Sequence, residues 1–273
     1  MTEAALPPLL LVGCGRMGGA MLAGWMERGT SEVVVVEPHA PARDALGGRP
    51  GLAAVPEAAA IPPGFAPAAV ILAIKPQEAA ATLPAYARLA GPGTVFLSIM
   101  AGKNLAGMRA LLGGAAAVVR AMPNTPAAVR QGFTVAYPGP GVTAAQRGLV
   151  DRLLAAVGEV AWAEEEGWLD PVTAVSGGGP AYVFLLAEVM EAAARAQGLP
   201  PDLARRMARA TVAGSGALLA ASAEDAAALR RAVTSPKGTT ERALDVLMAP
   251  EAWPALMDRA IAAATARSRE LAG

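Results

Sequence analysis

Short apolar runs recur through the first 162 residues of the chain and then stop. Each run is rich in Val, Ile and Leu, and longer alanine-rich stretches separate one run from the next. Short buried parallel strands that alternate with helices produce this pattern. The first part of the chain is therefore predicted to be a doubly wound α/β domain with a mostly parallel sheet. The predicted strands are residues 9–12, 32–37, 69–74, 94–99, 116–121, 133–137 and 159–162.

Only helical periodicity remains after the acidic run of residues 164–166. Turn signals support the helix ends, since Gly198 and two prolines close one helix and Asp202 lies in the first turn of the next. We therefore predict two domains, residues 1–162 and residues 163–273, of which the second is all-α. Its predicted helices are residues 182–197, 201–221, 223–233, 239–248 and 253–271.

Composition argues against several classes of protein. The 23 basic and 23 acidic residues give a net charge of zero, which is unlike a nucleic-acid binder or a protein of anionic membranes. One cysteine and one histidine exclude an internal disulfide and a Cys/His zinc site, so no metal is predicted. Proline or glycine interrupts the longest uncharged stretches, and the first residues lack a basic region, so we expect a cytoplasmic protein without a membrane span.

A glycine loop follows the first predicted strand. Gly13, Gly15 and Gly18 satisfy the G-x-G-x-x-G pattern, and a helix is predicted to begin at Met17. Gly13 permits the tight turn, Gly15 lets the backbone approach a pyrophosphate, and Gly18 lets the helix pack closely. With Arg16 and Met17 at the amino end of the helix, the loop predicts a Rossmann-type dinucleotide site. A strand-to-helix turn without a ligand is the alternative.

The next predicted strand ends in Glu37, nineteen positions after Gly18. A carboxylate at this place accepts hydrogen bonds from both hydroxyls of an adenosine ribose and repels a 2′-phosphate. The sequence therefore favours NADH, whereas His39 and Arg43 nearby leave NADPH open.

Five segments together are more specific than the glycine loop. They are residues 10–18, residues 73–77 (A-I-K-P-Q), residues 120–127 (R-A-M-P-N-T-P-A), residues 176–182 (S-G-G-G-P-A-Y) and residues 234–240 (T-S-P-K-G-T-T). In this order they resemble the pyrroline-5-carboxylate reductases over nearly the whole length of the chain. Two departures are Gly178, where the family usually has serine, and Lys237, where it usually has glycine.

Two of these segments follow predicted strands, at the sheet edge where doubly wound folds bind ligands. Lys75 and Pro76 come after residues 69–74, where we expect them to orient the nicotinamide half of the cofactor. A catalytic lysine and simple solvent exposure are the alternatives for Lys75. Asn124 stands in a loop stiffened by two prolines, which the resemblance places near cofactor and substrate. A rigid connector is the alternative there.

The segment 234–240 is the expected substrate site. Pro236 and Gly238 interrupt the helical pattern, so the Ser235 hydroxyl and the amides of Gly238, Thr239 and Thr240 can converge on a carboxylate. A capping turn without a ligand is the alternative. The resemblance implies that Thr240 lies near the ring nitrogen of the substrate and is the catalytic residue.

The resemblance implies reduction of 1-pyrroline-5-carboxylate to L-proline by NADPH or NADH. The helix from Tyr182 is apolar around most of its circumference, which predicts a homodimer or a larger homo-oligomer. A β-hydroxyacid dehydrogenase is the rival enzyme, but its chemistry requires a lysine on this helix, which has none. A nucleotide-sensing protein that has lost turnover is the second alternative.

Overall fold

An eight-stranded sheet forms the centre of the first unit in the computed structural model, which describes residues 5–272. The strand order is β3-β2-β1-β4-β5-β6-β7-β8, and every neighbouring pair is parallel except β6 with β7. The strands are β1 Leu9–Val12, β2 Val33–Val36, β3 Leu52–Val55, β4 Ala69–Leu72, β5 Val95–Ser98, β6 Ala117–Met122, β7 Gly132–Pro138 and β8 Gly158–Trp162.

Helices cover both faces of this sheet. The helices of this part are α1 Arg16–Arg28, α2 Ala40–Asp44, α3 Ala79–Thr82, α4 Leu105–Leu112, α5 Ala144–Ala155 and α6 Leu169–Val172. Leu9 and Leu11 lie in one apolar cluster with residues of α1 and α5, while Leu10 and Val12 lie in another with residues of α4. Successive side chains of a strand point to opposite faces, so a strand covered on both sides is apolar throughout. The predicted doubly wound class is confirmed.

The strand β3 is missing from the sequence prediction. Its residues 52–55 read Leu-Ala-Ala-Val, and all four side chains are partly or fully exposed because β3 pairs only with β2 at the sheet edge. An edge strand with two alanines gives neither a continuous apolar run nor a clear alternation. The predicted strand 69–74 also ends earlier, at Leu72, where the chain turns beneath the glycine loop.

The second unit, Gly178–Ala263, consists of helices in the described chain. Helices α7 and α8 pack against each other. Their outer faces expose large apolar side chains, among them Phe184 at 67%, Leu185 at 55% and Leu218 at 57%. The helices are α7 Gly179–Ala196, α8 Pro201–Ala221, α9 Ala226–Ala232, α10 Thr239–Leu247 and α11 Trp253–Ala272, the last of which extends beyond the unit.

The first unit reaches farther along the chain than the last strand. It comprises the chain up to Gly177 and the carboxyl-terminal residues from Ala264. Leu169 of α6 is buried against Val135 and Ala163, and the Ser268 hydroxyl donates to the Asp170 carboxylate at 2.7 Å. Apolar packing and this hydrogen bond therefore join segments beyond residue 163 to the sheet, and the predicted division at residues 162 and 163 stays a prediction.

One helical stretch, Glu166–Ala196, has the length and the apolar composition of a membrane span, with a mean hydropathy of 1.3. Only 6% of its most apolar window is buried within the protomer. A helix that is apolar on most sides needs to be covered, and a second subunit covers it as well as lipid does. Among the described residues this is the one stretch of that kind.

Candidate active site

The glycine loop joins β1 to α1 with the geometry that a pyrophosphate site requires. Gly13 has φ +86°, and a Cβ at this position would lie 2.8 Å from the carbonyl oxygen of Ala73. A Cβ at Gly18 would overlap the carbonyl oxygen of Gly13, so a glycine is needed where helix and strand meet. At Gly15 a Cβ would meet no atom within 4 Å, which leaves an open cradle at the helix end.

The amino terminus of α1 carries donors for an anion. No side chain caps this end of the helix, and its first backbone hydrogen bond runs from the N–H of Gly19 to the carbonyl oxygen of Gly15. The amides of Arg16, Met17 and Gly18 precede that bond and have no acceptor within the helix, at the end where the helix dipole favours negative charge. This arrangement fits the phosphates of a dinucleotide.

The Glu37 carboxylate lies at the carboxyl end of β2 and is bound to the glycine loop. One oxygen accepts the backbone N–H of Cys14 at 2.9 Å, and the other accepts that of His39 at 3.0 Å. Each oxygen keeps a second lone pair, so the carboxylate can still accept hydroxyl donors. The Arg43 guanidinium contacts the carbonyl oxygens of Glu37 and Pro38, at 3.1 and 3.2 Å, instead of the carboxylate.

Burial and two nearby charges shift the pKa of the Cys14 thiol in this loop. Burial raises the pKa of its thiol, the Glu37 carboxylate raises it further, and the positive charge of Arg49 lowers it. Cys14 is therefore a protonated, partly buried side chain. Arg49 was missed by the sequence analysis because it stands twelve positions after Glu37, and only the approach of β3 to β2 brings it near the loop.

In the segment after β4, the backbone contacts the glycine loop, whereas the side chain of Lys75 faces solvent. Ala73 lies directly beneath Gly13, whereas Lys75 caps a short 3₁₀ turn, Pro76–Glu78, with an exposed side chain. Among the described residues, no carboxylate forms an ion pair with Lys75. Pro76 begins the turn, where its fixed φ and missing N–H are tolerated.

Asn124 begins the 3₁₀ turn after β6 and is bonded on both sides of its amide. Its Oδ1 accepts the backbone N–H of Phe133 at 2.9 Å, and its Nδ2 donates to the Oγ of Ser176 at 3.1 Å. Ser176 belongs to a π-helical turn, Thr173–Gly177, which packs onto the end of β6. The sequence singled out both segments but did not indicate that these two side chains meet.

The predicted substrate turn lies in the second unit and ends at the amino terminus of α10. Its backbone is already partly bonded, since Gly238 N–H donates to the Ser235 carbonyl at 3.0 Å and Lys237 N–H donates to the Glu241 carboxylate at 2.8 Å. Thr239 and Thr240 begin α10 without a capping side chain. The side chains of Ser235, Thr239 and Thr240 are exposed.

Lys237 keeps the backbone conformation of a glycine. Its φ is +59°, in the left-handed region, which costs a residue with a Cβ about 1 kcal/mol. Its side chain is exposed. Glu241, which sequence analysis did not single out, accepts the Lys237 amide and so stabilises the turn. A groove of about 410 Å³ beside the turn is lined by Arg230, Arg231, Thr234, Glu241, Leu244, Asp245 and Met248.

Metal chemistry has no cluster to support it within residues 5–272. No three His, Cys, Asp or Glu side chains there come together in a way that could hold an ion. The residues predicted from the sequence instead provide the backbone amides of the glycine loop, the Glu37 carboxylate, and hydroxyl groups in loops and at helix starts.

Two family models match the two parts of the chain. The model described as NADP oxidoreductase coenzyme F420-dependent matches residues 9–102, and the model of pyrroline-5-carboxylate reductase dimerisation matches residues 166–271. A pyrroline-5-carboxylate reductase of Pseudomonas aeruginosa is 38% identical over 269 residues, which is 97% of each chain. The match thus extends over both units.

Solved structures agree with this match. The structure of a pyrroline-5-carboxylate reductase from Coxiella burnetii has a TM-score of 0.88 and 29% identity, and covers 97% of this chain and 98% of its own. A pyrroline carboxylate reductase from Plasmodium falciparum with NADP bound has the same fold, with a TM-score of 0.82, 23% identity, and coverage of 99% and 100%. On these similarities, the chain belongs to the pyrroline-5-carboxylate reductase family.

Proposed function

We propose that this protein reduces 1-pyrroline-5-carboxylate to L-proline with NADPH or NADH, and that the residues predicted from the sequence carry the reaction. The main support for this proposal is the 38% identity to a pyrroline-5-carboxylate reductase over 97% of the chain. The reduction consumes one hydride and one proton for each C=N bond. A β-hydroxyacid dehydrogenase and a nucleotide sensor are less consistent with that identity.

The first unit supplies the cofactor site. The amides of Arg16, Met17 and Gly18 bind the pyrophosphate over the open cradle at Gly15, while Gly13 makes the turn. The bound cofactor supplies the hydride that reduces the imine carbon.

Other residues of this unit complete the cofactor site. Glu37 accepts hydrogen bonds from the adenosine ribose with the lone pairs that Cys14 and His39 leave available. Lys75, Pro76 and Asn124 belong to the loops after β4 and β6, at the edge of the sheet where the nicotinamide half is expected.

The turn before α10 holds the substrate carboxylate. The amides of Thr239 and Thr240 begin the helix without a capping side chain, and the Ser235 hydroxyl is exposed beside them. The Gly238 amide contributes less to carboxylate binding than the sequence suggested, because it already donates to the Ser235 carbonyl. Gly238 instead shapes the turn, since a Cβ there would lie 2.9 Å from that carbonyl oxygen.

Thr240 is the proposed catalytic residue. Its exposed hydroxyl hydrogen-bonds the ring nitrogen and relays a proton from water as the imine becomes an amine. The relay serves substrate bound as the neutral imine. The iminium form already carries the proton and needs only the hydrogen bond to the hydroxyl, so no stronger acid is required. This accounts for a site without a histidine or a carboxylate pair as general acid.

The second unit forms a homodimer through its apolar helices. The dimerisation model of the family covers residues 166–271, and α7 and α8 expose Phe184, Leu185 and Leu218 in the protomer. Burying such a surface is favourable in a symmetric dimer. Dimerisation also accounts for the apolar stretch Glu166–Ala196 without a membrane, and we infer a cytoplasmic enzyme.

The direct test is oxidation of NADH or NADPH in the presence of 1-pyrroline-5-carboxylate, followed by loss of the reduced-cofactor absorbance. L-Proline is the expected product. Short-chain β-hydroxyacids supplied with NAD⁺ or NADP⁺, and followed by the gain of reduced-cofactor absorbance, are the control for the rival dehydrogenase. The proposal fails if the purified protein binds NADH or NADPH but does not oxidise it when the imine is added. Turnover with a β-hydroxyacid and none with proline or the imine would favour the dehydrogenase.

A further inference from the structure

The direction of the Asn124 amide is fixed by its partner on β7. The backbone N–H of Phe133 can only donate, so the atom of Asn124 that faces it, at 2.9 Å, must be the acceptor Oδ1. The NH₂ group then faces the Oγ of Ser176 at 3.1 Å. Exchanging the two ends of the amide would set two donors against each other at Phe133, so this orientation follows from the chemistry of the groups.

The orientation of the Asn124 amide determines where the hydroxyl proton of Ser176 can point. Because the Oγ accepts from Asn124, the hydroxyl proton points away from that amide. It also does not follow the usual route of a helical hydroxyl back to its own backbone, which Thr173 of the same turn takes by donating to the Leu169 carbonyl at 2.7 Å. Within residues 5–272, no acceptor is bonded to the Ser176 proton.

The turn that carries Ser176 is held against the end of β6. A Cβ at Gly177 would lie 2.5 Å from the terminal methyl of Met122, the last residue of that strand. Strands β1, β4, β5 and β6 are parallel, so the carboxyl end of β6 lies at the same sheet edge as the glycine loop. Ser176 is half-buried at this edge, and π-helical turns are frequent at functional sites.

We propose that Ser176 is a hydrogen-bond donor to a bound ligand at this edge and that Asn124 is the positioning residue that directs its proton. The inference rests on the proposed function. The acceptor is an sp² oxygen, which both ligands of the reaction carry: the carboxamide of the nicotinamide and the carboxylate of the substrate. A weaker Kd for NADH in the absence of substrate would identify the nicotinamide carboxamide as the acceptor. A raised KM for the imine at saturating NADH would identify the substrate carboxylate.

The key pair of variants is Ser176→Ala and Asn124→Asp. Ser176→Ala removes the donor. Asn124→Asp keeps an oxygen for the Phe133 amide but replaces the NH₂ group by a second acceptor, so the Ser176 proton turns back toward residue 124. Both variants should raise the same constant, either the Kd for NADH or the KM for the imine, by about tenfold, the size of one neutral hydrogen bond.

The double variant separates positioning from added charge. If Asn124 acts through Ser176, Ser176→Ala with Asn124→Asp should be no worse than either single variant. Ser176→Thr, which keeps a hydroxyl, should restore the constant. Thr173→Val is the matched control, because it removes the neighbouring hydroxyl that is bonded to the Leu169 carbonyl, and it should leave both constants unchanged.

Folding of each variant is checked by thermal unfolding followed by circular dichroism. The inference is overturned if folded Ser176→Ala keeps the wild-type Kd for NADH and the wild-type KM for the imine. It is also overturned if the effects of the two single variants multiply in the double variant. In either case, normal turnover by the wild-type protein would leave the proposed function intact. Absence of turnover in the wild type would instead reject the proposed function, whatever the NADH titrations of the variants show.

Discussion

The Glu37 carboxylate accepts the backbone N–H of Cys14 at 2.9 Å, which bonds the acidic residue at the end of β2 directly to the glycine loop. A second bond from the His39 amide, at 3.0 Å, fixes the other carboxylate oxygen. The negative charge is therefore held beside the loop in a defined position. A side chain bonded in this way cannot move aside without losing both contacts.

We expect NADH to serve at least as well as NADPH, because a 2′-phosphate would lie next to the Glu37 charge. The test compares kcat/KM for the two cofactors. A preference for NADPH beyond tenfold, about 1.4 kcal/mol, would mean that Arg43 and Arg49 outweigh Glu37. Glu37→Gln removes the charge and keeps one acceptor oxygen, while its NH₂ group replaces the acceptor for one of the two backbone N–H donors; it should move the ratio toward NADPH by about tenfold.

Thr240→Ala should lower kcat by about 10²-fold, the usual contribution of one positioned proton-transfer group. The variant removes the hydroxyl but leaves the amides at the start of α10 in place. NADH affinity, measured by fluorescence titration, should stay close to wild type because Thr240 belongs to the helical unit. Full turnover in Thr240→Ala would contradict the assignment of Thr240, and a water molecule or Lys237 would then be the group near the ring nitrogen.

Ser235→Ala should raise KM for the imine with little change in kcat. The substrate carboxylate carries the same charge in the ground state and in the transition state, so a contact to it stabilises both equally. We expect an increase of about tenfold for one hydrogen bond to a charged group. A drop in kcat with an unchanged KM would contradict this assignment and place Ser235 near the reacting atoms.

The protein should be a dimer or a larger oligomer at micromolar concentration, whereas the chain has a mass of 27.4 kDa. Light scattering measures this directly. Phe184→Asp places a charge on the exposed apolar face of α7 and should weaken association, while Glu188→Asp on the same helix is a control that preserves charge. A monodisperse active monomer of the wild type would contradict the proposed dimer.

Tyr86 should make stability fall at alkaline pH. Burial raises the pKa of its hydroxyl to about 12 from an unfolded value of 10.0. The unfolded chain therefore loses this proton first, so the contribution of Tyr86 is fully present below pH 10 and is lost as pH rises through 12. Urea unfolding measured across this range should show a steeper decline for wild type than for Tyr86→Phe, and equal slopes would disprove the shift.

Local sequence patterns were sufficient for most elements of the fold. Continuous apolar runs mark strands that are buried on both faces, so β1, β2 and β5 are recognisable, and α8 has the predicted bounds of residues 201–221. The need for glycine at positions 13 and 18 follows from the motif. The edge strand β3 lacks a pattern because its side chains are partly exposed, so only its pairing with β2 defines it.

The contacts that set the chemistry depend on the tertiary structure. Asn124 and Ser176 are 52 positions apart, and a hydroxyl proton acquires a direction only when β7 fixes the amide that faces it. The Gly238 amide, one of the three amides predicted to bind a carboxylate, is likewise already bonded to the Ser235 carbonyl. Sequence determined the elements and the residue types at their ends, because periodicity and backbone constraints are local. Only the folded chain decided which donors meet which acceptors, because a hydrogen bond depends on distances and angles between distant segments.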